Sequence, residues 1–235
     1  MSQAVEHELS CIGVALLCSV SLFDQMTKLL LLLIVSSACI LSCKQPKYFE
    51  GMIISRERFE IKDSTERAIF MSKVKPTKLQ TFFYEGNHFV LFDRGSHETY
   101  LYLQKENKSY WKVWGTDTFW VNDLGKEGKQ ILSTSIKDNA DTILGIPCKM
   151  LQVVYTERTY SYYYNENYLK INPEWYKNLT YTNWDIITKM MRSIALKTII
   201  DRPDYRVTET VESFVEAKVD RQMFKLPKNA ILKPY

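Results

Sequence analysis

The chain has 235 residues, with 31 Lys and Arg against 27 Asp and Glu, a net charge of +4. These charges are scattered without a run of five or more of one sign, which speaks against a nucleic-acid footprint and leaves a solvated surface as the ordinary explanation. No Pro/Gly/Ser-rich linker divides the residues beyond Cys43, which suffice for one domain with a substantial core.

Two apolar runs come first, Cys11 to Phe23 and Leu29 to Leu41, separated by Asp24, Gln25, Thr27 and Lys28. The second holds 13 residues, short of the ~20 that span a hydrocarbon core as a helix. A basic start at Lys28, an unbroken apolar run and small residues beside a cysteine are the parts of a secretory signal cut just before the cysteine, with Met26 as the true start. The rival reading is an N-terminal membrane hairpin with the domain outside it; both tether the remainder to a membrane. Ile40, Ser42 and Cys43 resemble a bacterial lipobox, which implies lipid attachment at Cys43. Leu41 is bulkier than that pattern prefers, and Cys39 is a rival with a poorer residue, Ser36, at minus three. Each buried methylene of a lipid chain contributes roughly 0.8 kcal/mol, so two or three chains hold such a protein stably on a membrane. The division expected is 1–43 signal and lipobox, 44–47 tether, and 48–235 a single domain. Removal of residues 1–42 raises the net charge to +6 and leaves only Cys43 and Cys148. A lipidated cysteine cannot pair, so no disulfide is expected, and Cys148 reads as a small buried hydrophobe.

In chain order, a first strand is expected from Tyr48 to Ile61, then a helix capped by Asp63, with Glu66 three residues on, running to about Val74. From Leu79 closely spaced strands predict an antiparallel meander: Thr81–Tyr84 and His88–Phe92 around the tight loop Glu85-Gly86-Asn87, then Glu98–Gln104, Ser109–Trp114 and Thr118–Val121. Asn122 to Gly128 is a polar loop; Lys129 to Lys137 alternates weakly and is punctuated by Asp138 to Asp141. Thr142 to Tyr155 and Thr159 to Tyr164 read as a long hairpin kinked early at Gly145 and Pro147, since proline cannot donate to a ladder. Asn165 to Thr182 is an ordered loop with a helical turn at Pro173–Tyr176, and Asn183 caps a short helix to Met191. Ser193–Ile200 and Tyr205–Val219 are strands joined by Asp201-Arg202-Pro203-Asp204, the second burying one face by alternation at Val207, Glu209, Val211, Ser213 and Val215. Phe224-Lys225-Leu226-Pro227 and a basic tail follow. The 13% aromatic content favours sheet, and strands with apolar groups on both faces require cover on both sides.

Phe49-Glu50-Gly51, Ile143 to Cys148 followed by an aromatic arm, the late strand pair and Phe224 to Pro227 together resemble a family of bacterial envelope lipoproteins, common in Bacteroidetes, with the lipoprotein-carrier (LolA/LolB-like) fold. The resemblance covers roughly Tyr48 to Pro234. It implies a mainly β (α+β) domain: a strongly curved antiparallel sheet forming a half-barrel, with a few short helices packed over an apolar cavity on its concave face. It further implies a lipid-anchored protein in the cell envelope that holds an acyl chain or other apolar ligand. In that lineage an acidic stretch after the lipidated cysteine accompanies export to the cell surface; Lys44-Gln45-Pro46-Lys47 is not acidic, which points to the periplasmic face, and the lack of an aspartate after Cys43 points to the outer membrane.

HExxH, CxxC, GxSxG and phosphate-cradling glycine loops are absent, so neither an enzyme nor a cofactor is expected. His88 and His97 lack an evident third ligand, which leaves no metal site. The candidate ligand-binding residues are Phe82, Phe89, Leu91, Trp111, Trp114, Tyr162 and Tyr164. The alternative is a scaffold or interaction subunit of an envelope complex whose interior is filled by its own side chains. A partner protein belongs to that reading, and nucleic acid to neither.

Overall fold

Residues 47–74, 77–95 and 97–235 are described by the computed structural model, and the leader with Cys39 and Cys43 lies outside them. The chain divides after residue 47, and 48–235 form a compact unit. That unit is mainly β: among its described residues twelve strands form one curved, unclosed sheet.

The strands are β1 (Gly51–Ile61), β2 (Lys78–Tyr84), β3 (Asn87–Phe92), β4 (His97–Leu103), β5 (Lys108–Val113), β6 (Thr118–Asp123), β7 (Ser133–Ile143), β8 (Ile146–Val154), β9 (Thr159–Tyr164), β10 (Lys197–Asp201), β11 (Tyr205–Glu216) and β12 (Ile231–Pro234). Their order is β12-β6-β5-β4-β3-β2-β1-β11-β10-β9-β8-β7. Two meanders, β1 to β6 and β7 to β11, are thus joined through the β1–β11 pair. This topology explains the curvature. In the sheet β6 and β7 stand ten strand spacings apart, about 48 Å if the sheet were flat. Residues 124–132 connect them and reach about 35 Å at most. The sheet must therefore bend until its ends approach.

The first meander follows the expected strands closely. Its β2–β3 turn has Glu85 at φ 45° and Gly86 at φ 78°, the double positive φ of a two-residue hairpin. Helix α1 (Glu66–Val74) starts later than expected, because Thr65 rather than Asp63 caps it: the Thr65 hydroxyl accepts from the Ala68 amide at 3.1 Å. Ala68 and Met71 of α1 pack on Phe59, Tyr205 and Val207.

The second meander departs from the sequence reading in three places. Lys129–Asp141 was expected to be weakly patterned and broken, yet Ser133–Ile143 is one strand carrying a bulge between Lys137 and Asp141, with Asn139 at φ 47°. Because β7 is an outer strand, its exposed polar residues face water instead of alternating over a core. Gly145 does not relieve a kink within one strand; Leu144 (φ 53°) and Gly145 (φ 75°) form the turn between β7 and β8, closed by Ile143 opposite Ile146. Pro147 sits before the β8–β9 ladder begins at Lys149, so its missing N–H interrupts nothing there. On β11 a bulge at Glu212 changes the phase: Val211 faces Ser55, but Ser213 faces Ile54 and Phe214 faces Ile53. Phe214 therefore joins the cluster of Ile53 and Val211, while Val215 is 53% exposed.

The loop after β9 carries the remaining cover: a 3-10 turn at Pro173–Tyr176, capped by Asn172, and α2 (Trp184–Met191). Asn183 precedes α2 without capping it. Its φ is 57°, and its side-chain Nδ2 donates instead to Lys129 O (2.7 Å) and Tyr155 Oη (3.2 Å). The basic tail forms β12, which runs parallel to β6 in an otherwise antiparallel sheet.

Candidate functional site: a cavity between sheet and cover

The cover lies across the concave face and is strapped down at both sides. The Phe49 amide donates to Lys170 O (2.7 Å) beside β1, and the Tyr181 amide donates to Leu124 O (3.1 Å) in the β6–β7 connection. Ile171 and Ile194 are tied together through their amides to Arg192 O and Leu169 O. Gly86 marks a further close approach, since a Cβ there would lie 2.6 Å from the Trp175 side chain.

Under α2 the interior is solid. Ile187 and Met191, fully buried, pack on Leu151, Val153, Tyr162 and Tyr164. Toward the first meander the packing opens into a cavity of about 330 Å³. Its floor is the inward-facing set Leu79, Thr81, Phe83, His88, Val90 and Trp111; Ile171, Tyr176, Leu179, Trp184 and Ile194 roof it. Tyr100 joins the floor, stacked on His88 (5.3 Å) and edge-on to Trp111 (4.4 Å), and Tyr102 continues the line to Tyr176 and Trp184. Burial pushes the Tyr102 phenol up to about 12 and raises Tyr100 and Tyr176 as well, so these phenols stay neutral.

The polar part of the wall is sparse. His88 Nδ1 is buried without a hydrogen-bond partner, and burial lowers its pKa to about 4, so the ring is neutral at physiological pH. Glu209 Oε1 accepts from the Ser55 hydroxyl at 2.6 Å. Among the described residues no Lys or Arg lines the cavity, whose other polar side chains, tyrosines aside, are Thr81, Ser109, Asn122 and Thr182. Among the described residues no group of three or more His, Cys, Asp and Glu is placed to hold a metal, and His97 lies far along β4 from Tyr102, the strand partner of His88. Cys148 is 1% exposed, its thiol raised by burial and directed at Ile146 O (3.3 Å), in keeping with a core residue.

Of the seven residues singled out in the sequence, Trp111 lines this cavity. Tyr162 and Tyr164 lie beside it in the solid core under α2, and Trp114 is 45% exposed just beyond β5. Phe82 and Phe89 face each other across β2 and β3 on the opposite side of the sheet, with Leu91 in phase with Phe89. There Phe89, Leu101 and Phe119 border a second depression of about 290 Å³, closed by Met223, Leu226 and Ala230 of the C-terminal segment. Thr81-Phe82-Phe83-Tyr84 is apolar at successive positions, so composition alone does not say which aromatic points inward. The usable signal was register: a two-residue turn at Glu85-Gly86 pairs Phe83 with His88 and places both on the face of Leu79 and Val90.

No protein-family model matches the chain, and no curated protein sequence matches it. Among solved structures it is similar to PNGF-II in two crystal forms, with TM-scores of 0.44 and 0.43 at 13% and 12% identity. The alignments cover 80% and 79% of this chain but 31% and 32% of those, so the chain spans about a third of their length. It is also similar to LprF from Mycobacterium bovis, with a TM-score of 0.29 at 10% identity over 77% of this chain and 90% of that one. No helix among the described residues is long and apolar enough to cross a membrane.

Proposed function

We propose that the chain is a non-catalytic, membrane-tethered protein of the cell envelope, held on the periplasmic face of the outer membrane by lipid at Cys43, whose LolA-like half-barrel binds a lipid or other apolar ligand, with lipid or lipoprotein trafficking as its setting. The observation that carries this reading is the concave-face cavity. Its volume of about 330 Å³ lies at the lower end of the ~300–1,000 Å³ typical of small-molecule sites, and its wall is chiefly apolar and aromatic. A cavity of that size suits one chain or a ring-sized ligand and not several chains at once. The buried packing of Ile187 and Met191 on Leu151, Val153, Tyr162 and Tyr164 supports a second reading, a scaffold for an envelope partner, because side chains fill the sheet face under α2.

Native mass spectrometry separates the two. Residues 44–235, made in a bacterial periplasm and purified without detergent, should carry a co-purifying lipid that disappears in Trp111→Glu while folding is retained. A clean apo mass, unchanged after incubation with envelope lipid extract, would remove the binding reading and favour the scaffold.

A further inference from the structure

A cavity lined this way discriminates among apolar ligands by what their polar end carries. A formal anion would lose its water in an apolar space that offers no Lys or Arg. It would also meet Glu209, which lines the cavity and stands in register opposite Glu57 on β1. The lining instead offers a fully buried nitrogen without a partner, on His88. His88 is wedged against Phe83, Tyr100 and Tyr102 with ring centroids 5.0–5.9 Å away, its Nδ1 enclosed and unpaired. A buried polar atom left in that state is costly, and a ligand that supplies its hydrogen bond recovers the cost. A half-turn about Cβ–Cγ keeps the flat ring in its slot while exchanging Nδ1 with Cδ2, so the nitrogen can serve the cavity side without repacking the aromatics.

We infer that His88 is the polar anchor of the cavity and selects a neutral apolar ligand bearing a hydroxyl or similar hydrogen-bonding group over an anionic one. The inference rests on the cavity being a binding site and deepens that reading by naming the ligand's polar end. The hydroxyl exchanges a hydrogen bond with the imidazole, and the hydrocarbon or ring lies against Trp111 and Trp184.

Brominated probes test this directly, because bromine quenches the tryptophans that line the cavity. Residues 44–235, which contain the whole compact unit 48–235 and are purified without detergent as above, are titrated at pH 8 with ω-bromodecanol, ω-bromodecanoate and bromodecane. Decanol is expected to bind at least about tenfold more tightly than decanoate, a margin of about one net buried hydrogen bond. His88→Leu should weaken decanol about tenfold and leave bromodecane unchanged, and His88→Gln should restore part of the loss. Equal weakening of alcohol and alkane by His88→Leu, or decanoate binding as tightly as decanol, overturns the anchor while the binding cavity stands. Absence of quenching by all three probes overturns both. Far-UV circular dichroism and the melting temperature of each variant confirm that it is folded, and His88→Phe, which fills the ring's slot, replaces Leu if that variant is not.

Discussion

At the scale of single residues, His88 couples the cavity to pH. Its pKa of about 4 in the folded chain lies below the ordinary 6.5, and burial alone is the cause. The fold therefore favours the neutral ring: the stability it confers is complete above pH 6.5 and is lost as pH falls from 6.5 toward 4, up to ~3 kcal/mol. The rings packed on it are Phe83, Tyr100 and Tyr102, which carry no charge in this range, and Glu209 is the carboxylate among the described residues of the cavity wall. Urea unfolding at pH 7 and pH 4.5 should show a drop in midpoint that His88→Phe makes distinctly smaller; an equal drop in both would assign the acid sensitivity to the carboxylates. A histidine opening the apolar run Phe89-Val90-Leu91-Phe92 was visible in the sequence. Its isolation from partners was not, because that depends on β2, β4 and the cover, which supply no hydrogen-bonding group to it.

At the scale of elements, the β11 bulge decides which side chains belong to the core. Simple alternation from Val207 puts Val215 inside, and the extra residue Glu212 puts Phe214 there instead, edge-on to Phe49 at 6.5 Å. Phe214→Ala should therefore cost ~2–3 kcal/mol, somewhat less than a fully buried phenylalanine, and Val215→Ala should stay within ~0.5 kcal/mol. Chemical denaturation of both variants checks it, and the reverse ranking would mean that the strand pairs without the bulge. Strand existence was legible wherever aromatic and branched residues alternate between turn signals, as in β2 to β6 and β8 to β11. Bulges were not, since Glu212 and Asp138-Asn139-Ala140 are ordinary residues whose role is set by the partner strand. The β7–β8 turn shows the same limit: Leu144 at φ 53° is an uncommon turn residue, and the closure of Ile143 on Ile146 selects it.

At the scale of the molecule, an open sheet has two edges. Charged residues and a bulge blunt β7, with Lys149 near Asp138 and Glu166 across the hairpin. At the other edge β12 shields β6 and presents Lys233 and Pro234, though Ile231 and Leu232 are about half exposed. Removing residues 230–235 leaves the aromatic strand β6 as the edge. The expected result is a melting temperature lowered by a few degrees together with concentration-dependent dimers in size-exclusion chromatography with light scattering. A truncated chain that stays monomeric at all concentrations would show that β6 needs no such shield.

The strand-rich class, the meander of β2 to β6, the helical turn at Pro173–Tyr176 and the core role of Cys148 were legible in the sequence alone, because turn chemistry and side-chain type act over a few residues. The sequence also named Trp111. The inward phase of β2 and β3, the parallel β12 and the enclosure of His88 came from the tertiary structure alone, which also supplies the physical cause of the curvature that the family resemblance implied. Each depends on residues far apart in the chain: on β1 joining β2 to β11, on a short connection drawing β6 toward β7, and on Phe49 and Leu124 holding the cover in place.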